Sequence, residues 1–515
     1  MSVTSPIPAP SELHQIATLK QQLQSATVEL QWARLKIQSL EQQLRLERIR
    51  KYGAASEKLT DAQLQLLELE PGVSSAEVQA ESQREPLPAT TGSQKRRPHP
   101  GRQELPADLP RVEHVIACTP EQCTCRACGQ PMAVIGYDQS EQLDQEPAQY
   151  FVRVTKREKR ACRSCGEGGV VAAPMPARII EKGLVSDRVV IDAVVAKYSD
   201  HLPLYRQSAI LARETGLEIS RATLDGWVMQ VGELLVPVAE VMGRELVQGP
   251  YIQADETPIG VQMHDRRGRN HQAYLWQYGR PGAGVVFDFQ MGRGRAGPKQ
   301  FLGRFEGILQ SDGYIGYDQA GGPKLVHAGC WAHSRRKFHE AVKLSPEDKV
   351  AIGLVAQIDD LFAIDARARV ENLDLRARHA LRREQARPLL EALKQNIEAA
   401  RAAALPSSAL ALAARYTLAL WPRLTRFLDY PELELSNNLA ENSMRPVALG
   451  RKNWIHLGSP QAGPKVAAIL SVVETCRRLN IPIRDYLGAV LPGLAKTSIQ
   501  RLAELTPAAW AARNR

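Results

Sequence analysis

No stretch of this 515-residue sequence approaches the ~18 consecutive apolar residues of a bilayer-spanning segment, which excludes a membrane helix. Its first residues, MSVTSPIPAPSELHQ, lack the basic start and apolar run of a secretory leader, so a cytoplasmic protein is expected. Cysteine is sparse and unevenly placed. Six of the eight fall within residues 118–165, while Cys330 and Cys476 stand alone. In a reducing cytosol such clustering points to metal rather than disulfides.

What is present is ordinary in bulk and unusual in arrangement. A hydrophobic share of 44% and a charged share of 24% suit a soluble globular protein. A chain of 515 residues exceeds what one hydrophobic core serves, so three or more units are expected. Sixty-six Lys and Arg against 56 Asp and Glu leave a net charge of +10. Each phosphate that such a surface neutralises releases counterions, which favours a polyanionic partner. Net charge alone is weak support, and placement says more. Basic clusters recur in SQKRRPHPGR (93–102), RVTKREKRACR (153–163), DRRGRNH (265–271), HSRRKFH (333–339) and RPVALGRKNW (445–454).

Between residues 11 and 50 the apolar positions repeat every seven. Ile16, Leu19, Leu23, Ala26, Leu30, Ala33, Ile37, Leu40 and Leu44 fill successive a and d sites among Gln, Glu, Lys and Arg. About four heptads with a narrow stripe predict a coiled coil joining two or more copies. The alternative is an amphipathic helix docked on its own chain. Residues 54–110, rich in Gln, Glu, Ser and Pro, read as a linker ending in a basic tract.

Two CxxC pairs follow, Cys125/Cys128 and Cys162/Cys165. Four thiolates complete a tetrahedral zinc shell and leave no open position, so this zinc would be structural. Cys118 and Cys123 are spare and could replace a ligand; unpaired buried cysteines are the alternative. The intervening QYFVRVTKREKRAC alternates like a strand carrying the second pair at its end. Residues 204–235 read as helix, turn at Gly216, and helix capped by Ser220, with Leu224, Trp227, Val228 and Val231 on its apolar face. That is a helix-turn-helix pattern, also common in proteins that never bind DNA.

From residue 250 the period changes to that of strands, at YIQAD, AYLWQYG, GVVFDFQ, GILQSD and KLVHAGC, with a short helix at PKQFLGRF. Three strands in hairpin order followed by strand–helix alternation predict a mixed sheet flanked by helices. The expected order is a coiled coil (1–53), a linker (54–110), a zinc-binding module (111–180) and a helical, helix-turn-helix-like module (181–249). A mixed-sheet domain (250–470) with a helical insertion at about 340–430 and a helical tail (471–515) complete the chain. The fold class is multidomain α+β.

Three carboxylates stand out against this background. Asp255 interrupts the strand of YIQADETPIGVQ, Asp312 ends GILQSDGY, and Glu441 opens a helix in SNNLAENSMRP. An unpaired acid in a strand loses its hydration, so something must compensate it. Meeting at one sheet edge, three acids would hold hard divalent cations, Mg2+ or Mn2+, two of which serve phosphoryl transfer. Each acid also has a plainer reading. Asp255 could pair with an Arg, Asp312-Gly313 could be a turn, and Glu441 could close a capping box with Asn438.

The motifs QADETP, SDGYIGYD, CWAHSRRKF, NNLAENSMRPVALGRKNW and ETCRRLNIPIRDYL resemble those of the insertion-sequence 66 family, bacterial DDE transposases. The paired CxxC knuckles and the heptad start fit the same layout, so the resemblance covers nearly the whole chain. It implies a ribonuclease-H-like catalytic domain with a helical insertion, in which Asp255, Asp312 and Glu441 bind two Mg2+ or Mn2+ ions. It further implies cleavage of DNA at terminal inverted repeats and strand transfer into target DNA. A homodimer or larger assembly in the bacterial nucleoid, with accessory transposition proteins as further possible partners, completes the expectation. Where the family tends to follow the Glu with Arg, Asn442 stands here, removing a phosphate contact.

Neighbouring cations are candidate phosphate contacts: Arg335, Arg336 and Lys337 after the fifth strand, and Arg445, Arg451 and Lys452 beside Glu441. Solvated surface charge is their alternative. Trp331 and Trp454 are expected in the core rather than stacked on a base, and His333 as a hydrogen-bonded structural residue, with a metal neighbour as its alternative. Two rival functions remain at this stage. One is a zinc-containing DNA-binding regulator with an inactive nuclease-like domain; the other is a metal-dependent nuclease that cuts without joining.

Overall fold

The computed structural model describes residues 19–27, 29–30, 37, 40, 130, 150–161, 170–181, 183–263, 268–454 and 456–514. All four cysteines of the CxxC pairs, Cys118, Cys123, the linker and the heptad positions Ile16, Ala33 and Leu44 lie outside the described residues. Contacts divide the chain into one unit of Met1–Pro88 and Pro174–Arg515 and another of Ala89–Ala173. No described helix is long and apolar enough to cross a membrane.

In the smaller unit, β1 (Lys159–Ala161) and β2 (Val170–Ala172) pair antiparallel, with Arg160 opposite Val171. The expected strand is shorter than the alternation implied. Residues 150–158 run without regular structure, and their side chains, Phe151 and Val152 included, are exposed. Alternation alone does not hold a strand that has no buried face to pack.

The larger unit begins with three helices, α1 (Asp187–Tyr198), α2 (Leu204–Thr215) and α3 (Arg221–Val247). Gly216 ends α2 at φ 69, in the left-handed region that glycine enters without a steric penalty. The Ser220 hydroxyl accepts the Thr223 N–H at 3.1 Å and so caps α3. Leu224, Trp227, Val228 and Val231 are buried, as the helical period requires.

Five strands then build a mixed sheet: β3 (Tyr251–Val261), β4 (His271–Gly279), β5 (Val285–Gln290), β6 (Ile308–Gln310) and β7 (Val326–Ala328). Their spatial order is β5-β4-β3-β6-β7, antiparallel across the first three and parallel from β3 to β7. Strands occupy all five predicted runs, and α4 (Ala296–Leu302) is the predicted short helix. After β7 the chain becomes helical: α5 (Trp331–Leu344), α6 (Lys349–Val370), α7 (Leu375–Leu381), α8 (Arg387–Ala403) and α9 (Ala409–Ala419). It returns to the sheet as α10 (Asn438–Trp454) and β8 (His456–Leu457), the latter parallel to the end of β3. The helices α11 (Ala462–Arg478) and α12 (Ile483–Val490) follow. One difference from expectation concerns position 470, taken as a domain end. There α11 is unbroken, and it packs on both α3 and β5.

Alternation along the strands divides the interior in two. Ile252, Ala254 and Leu309 face a core shared with α1, α3 and α11. Tyr251, Ile308 and Ala328 face a second core formed with α5, α6 and α8. β5 is an edge strand whose free amides would otherwise be an aggregation template. The Thr475 hydroxyl accepts from Val285 N–H at 2.9 Å, and the Ser471 hydroxyl from Phe287 N–H at 2.8 Å. Both side chains lie on α11, so the helix that covers the sheet also closes its edge.

Candidate active site

The parallel pair β3–β6 ends at Gln253 opposite Gln310, yet β3 continues for eight more residues against β4, joined on its other side by β8 only at Gly260 and Val261. From Ala254 to Ile259 this side of β3 has no strand partner, a crevice in the strand pairing at the carboxyl end of the parallel strands, where open α/β sheets place their ligands. Extending the register by two residues sets Asp312 opposite Asp255. Asp312 lies two residues beyond the end of β6, in a turn rather than in the strand.

A polar network fastens the returning chain to this crevice. The Gln253 amide donates to Tyr251 Oη at 2.8 Å, Gln310 Oε1 at 3.1 Å and the Ser436 carbonyl at 3.1 Å. The Gln310 amide donates to the Gly329 and Glu434 carbonyls, at 3.0 and 2.7 Å. Asn437 donates through Nδ2 to the Ala254 carbonyl at 3.4 Å. The chain from Glu434 to Asn437 is thereby fixed against β3, and α10 starts from it with Glu441 in its first turn.

Glu441 does not close a capping box, because α10 begins at Asn438 and that residue is already helical. Its Oε2 instead accepts from Arg336 Nη2 at 3.2 Å, and its Oε1 stands 3.6 Å from His333 Nδ1. Neither His333 Nδ1 nor Glu441 Oε1 makes a hydrogen bond, whereas the His333 side chain does bond to Cys330, in keeping with the expected hydrogen-bonded histidine. Burial lowers the His333 pKa, but the adjoining Cys330 and Glu441 outweigh it and carry it up to about 9. The surroundings therefore favour positive charge at this point.

Asp255 is half-buried and accepts from the Glu256 N–H at 2.9 Å. Burial, then Glu441, then Glu256 push its carboxyl well above the usual carboxylate range. No arginine pairs with it among the described interactions, so the plain reading for Asp255 does not apply. Asp312 accepts the Tyr314 N–H at 2.8 Å, and Gly313 follows at φ 89, so its turn is real. Its carbonyl also accepts from Tyr416 Oη at 2.5 Å, which ties the turn to α9. The neighbouring Glu256 was not among the expected metal ligands. It is held by Arg293, at 2.7 Å from Nη2, and by Tyr317 Oη at 2.9 Å, while Asp312 lies within its electrostatic reach.

The cations sort into different roles. Arg335, expected at phosphate, is turned inward, only 2% exposed, with Asp359 across it at 2.5 and 3.1 Å. Its guanidinium is consumed by that pair. Arg336 is exposed and bonded to Glu441; Lys337 lies over the Tyr416 ring at 4.7 Å. Arg451 donates to the Pro258 carbonyl, Arg445 is half-buried, and Lys452 is exposed. Trp331 is fully buried, with Nε1 donating to Leu424 O at 2.9 Å, and Trp454 packs edge-on against Tyr198. Asn442 is buried, so the residue after Glu441 points into the fold.

Family models agree with this architecture. One described as "Transposase IS66 family" matches residues 182–465. Another, "zinc-finger binding domain of transposase IS66", matches residues 122–166 and spans both CxxC pairs. A third, "Transposase C of IS166 homeodomain", matches residues 39–113. Among curated proteins, the chain is 33% identical over 468 residues to uncharacterized protein y4qI of Sinorhizobium fredii, covering 86% of this chain and 84% of that protein. It is also 30% identical over 504 residues to y4hP of the same organism, covering 92% and 88%. The sheet, the insertion and the acids beside it thus sit within the longest matched segment, and the chain belongs to the IS66 family of transposases.

Proposed function

We propose that this transposase-family chain cuts DNA at the ends of a mobile element and joins the freed 3′-hydroxyl to target DNA. Asp255, Asp312 and Glu441 hold the divalent cations, Mg2+ or Mn2+, that the reaction requires. The observation that carries this reading is the placement of the Asp255 carboxyl, half-buried, with no arginine against it among the described residues and with Glu441 and Glu256 as acidic neighbours. Burial and two neighbouring acids oppose its ionisation, and a bound dication would relieve all three at once. Strand order and direction support a ribonuclease-H-like sheet, with the acids at its carboxyl edge.

Bound there, the ions would activate the attacking oxygen and stabilise the leaving one. The chain's own residues bind and orient. Arg336 turns the Glu441 carboxylate toward the crevice, and Asn437 sets the distance between α10 and β3. Exposed Lys452 and half-buried Arg445 offer charge to the DNA backbone beside Glu441. In this reading Cys125, Cys128, Cys162 and Cys165 hold a structural Zn2+, and α2 and α3 contribute to recognition of terminal repeats. Leu19, Leu23, Leu30, Ile37 and Leu40 are exposed, consistent with a helical stripe that pairs with a second copy. Asp255→Ala, assayed for Mg2+-dependent cleavage of labelled element ends, is expected to lose cleavage and strand transfer together. Unchanged cutting would end the proposal.

A further inference from the structure

Cys330 and His333 lie three residues apart, at the N-cap and in the first turn of α5, and share one side of it. They face Glu441 at the start of α10. The Cys330 Sγ, a His333 ring nitrogen and a Glu441 carboxylate oxygen all stand within 4.8 Å of one another. Nothing in the proposed acidic triad calls for a thiol or an imidazole here.

We infer that Cys330, His333 and Glu441 form a binding site for a thiophilic transition-metal dication such as Zn2+, with its fourth position open. Geometry comes first. Donor atoms around a tetrahedral Zn2+ with bonds of ~2.0–2.3 Å stand ~3.3–3.8 Å apart. His333 Nδ1 and Glu441 Oε1 are 3.6 Å apart, too far for a hydrogen bond and well placed to share an ion. Both atoms are buried and both lack a hydrogen-bond partner. Two such orphans pointing at each other cost free energy that a metal would recover.

The surroundings orient the donors as outer-shell groups do. The Asn437 N–H donates to Cys330 Sγ at 3.4 Å, a contact that orients the sulfur. Arg336 occupies Glu441 Oε2 and leaves Oε1 free. Asp255 lies within electrostatic reach of both Glu441 and His333. Three protein ligands with one free position are the pattern of sites that take an outside oxygen, here water or a DNA phosphate. One sulfur, one nitrogen and one oxygen select Zn2+ over Mg2+. The site would thus bind tightly a metal that the all-oxygen pair Asp255 and Asp312 would not.

The inference does not depend on DNA cleavage, and its test reads metal. Full-length protein is stripped by chelation, reloaded with Zn2+, desalted and analysed by elemental mass spectrometry. Wild type is expected to hold one zinc per chain more than Cys330→Ser, His333→Ala and Glu441→Gln. Each variant should bind that zinc at least ~100-fold more weakly, since even outer-shell losses cost 10–100-fold. Loaded with Co2+, wild type should show a thiolate charge-transfer band that Cys330→Ser diminishes by one sulfur's share. Cys330 is buried; should its variant fail to fold, Glu441→Gln, at a more open position, carries the test alongside thermal melts. Equal zinc content and affinity in wild type and Glu441→Gln would overturn the assignment. So would displacement of this zinc by millimolar Mg2+, the behaviour of an all-oxygen site. An Asp312→Ala chain that no longer cuts DNA but keeps the zinc leaves the assignment standing, whereas a wild-type chain that cuts normally yet takes up no more zinc than Glu441→Gln refutes the zinc site and leaves the cleavage reading intact.

Discussion

Asn437 donates from Nδ2 to the carbonyl of Ala254, one residue before Asp255, across 183 residues of intervening chain. This hydrogen bond joins the start of α10 to the middle of β3, where β3 has no strand partner on that side. It sets how closely Glu441 approaches Asp255. Asn437→Ala is expected to lower single-turnover cleavage by about 10²-fold, because a small displacement of reacting groups is that costly. Stability should fall by only about 1–3 kcal/mol, the usual penalty for an unsatisfied buried carbonyl. Cleavage kinetics and a urea melt on the same preparation separate the two effects; parallel loss of fold and activity would contradict a positioning role.

Asp255→Asn should trade activity for stability. Burial and two acids hold the Asp255 carboxyl well above the usual range, so its ionisation at neutral pH works against the metal-free fold. Removing the charge is expected to raise metal-free stability by about 1–2 kcal/mol while cleavage is lost. Denaturation without divalent ions measures the gain. Added Mg2+ should stabilise wild type more than the variant, since the ion binds the folded acids.

Two adjacent arginines should behave as opposites. Arg335→Ala removes a buried guanidinium and leaves the half-buried Asp359 without its partner, costing about 2–3 kcal/mol of stability. Arg336→Ala, at an exposed side chain, should melt within about 1 kcal/mol of wild type. Its loss would appear instead in cleavage. For Lys452→Ala, the slope of log affinity for DNA against log salt should fall by about 1, as for one lost phosphate contact.

The insertion is expected to melt in acid. Burial alone would raise the Glu434 pKa, but Arg378 and Arg369 overcome it and bring it down to about 2. Arg378 and Arg382 also share Asp365, at 2.6 Å each. A carboxyl with a folded pKa below its ordinary value of 4.5 contributes stability above that value and loses it as pH falls toward 2. Glu434→Gln should cost about 3–5 kcal/mol at neutral pH and flatten the stability profile between pH 4.5 and 2. Urea midpoints across that range provide the check.

Much of the fold was legible because it is encoded by neighbours. Five strand runs, the Gly216 turn and the Ser220 cap are local patterns of period, backbone freedom and hydrogen bonding, and the structure places elements on each of them. The alternation of residues 150–158 misled, since period two is necessary for a strand but a partner and a buried face complete it. Basic clusters were visible as charge, not as direction. Arg335 and Arg336 are adjacent on α5, yet a helix turns ~100° per residue, so one meets Asp359 and the other Glu441.

By itself the sequence determined the order of elements, the family motifs and the three acids, because these follow from residue type and short-range spacing. Only the tertiary structure decided which groups meet: Asn437 with Ala254, Glu256 with Arg293, and Cys330 and His333 with Glu441. Those partners are brought together by sheet register and by the return of the chain after a long helical excursion. No local period records where such a loop closes.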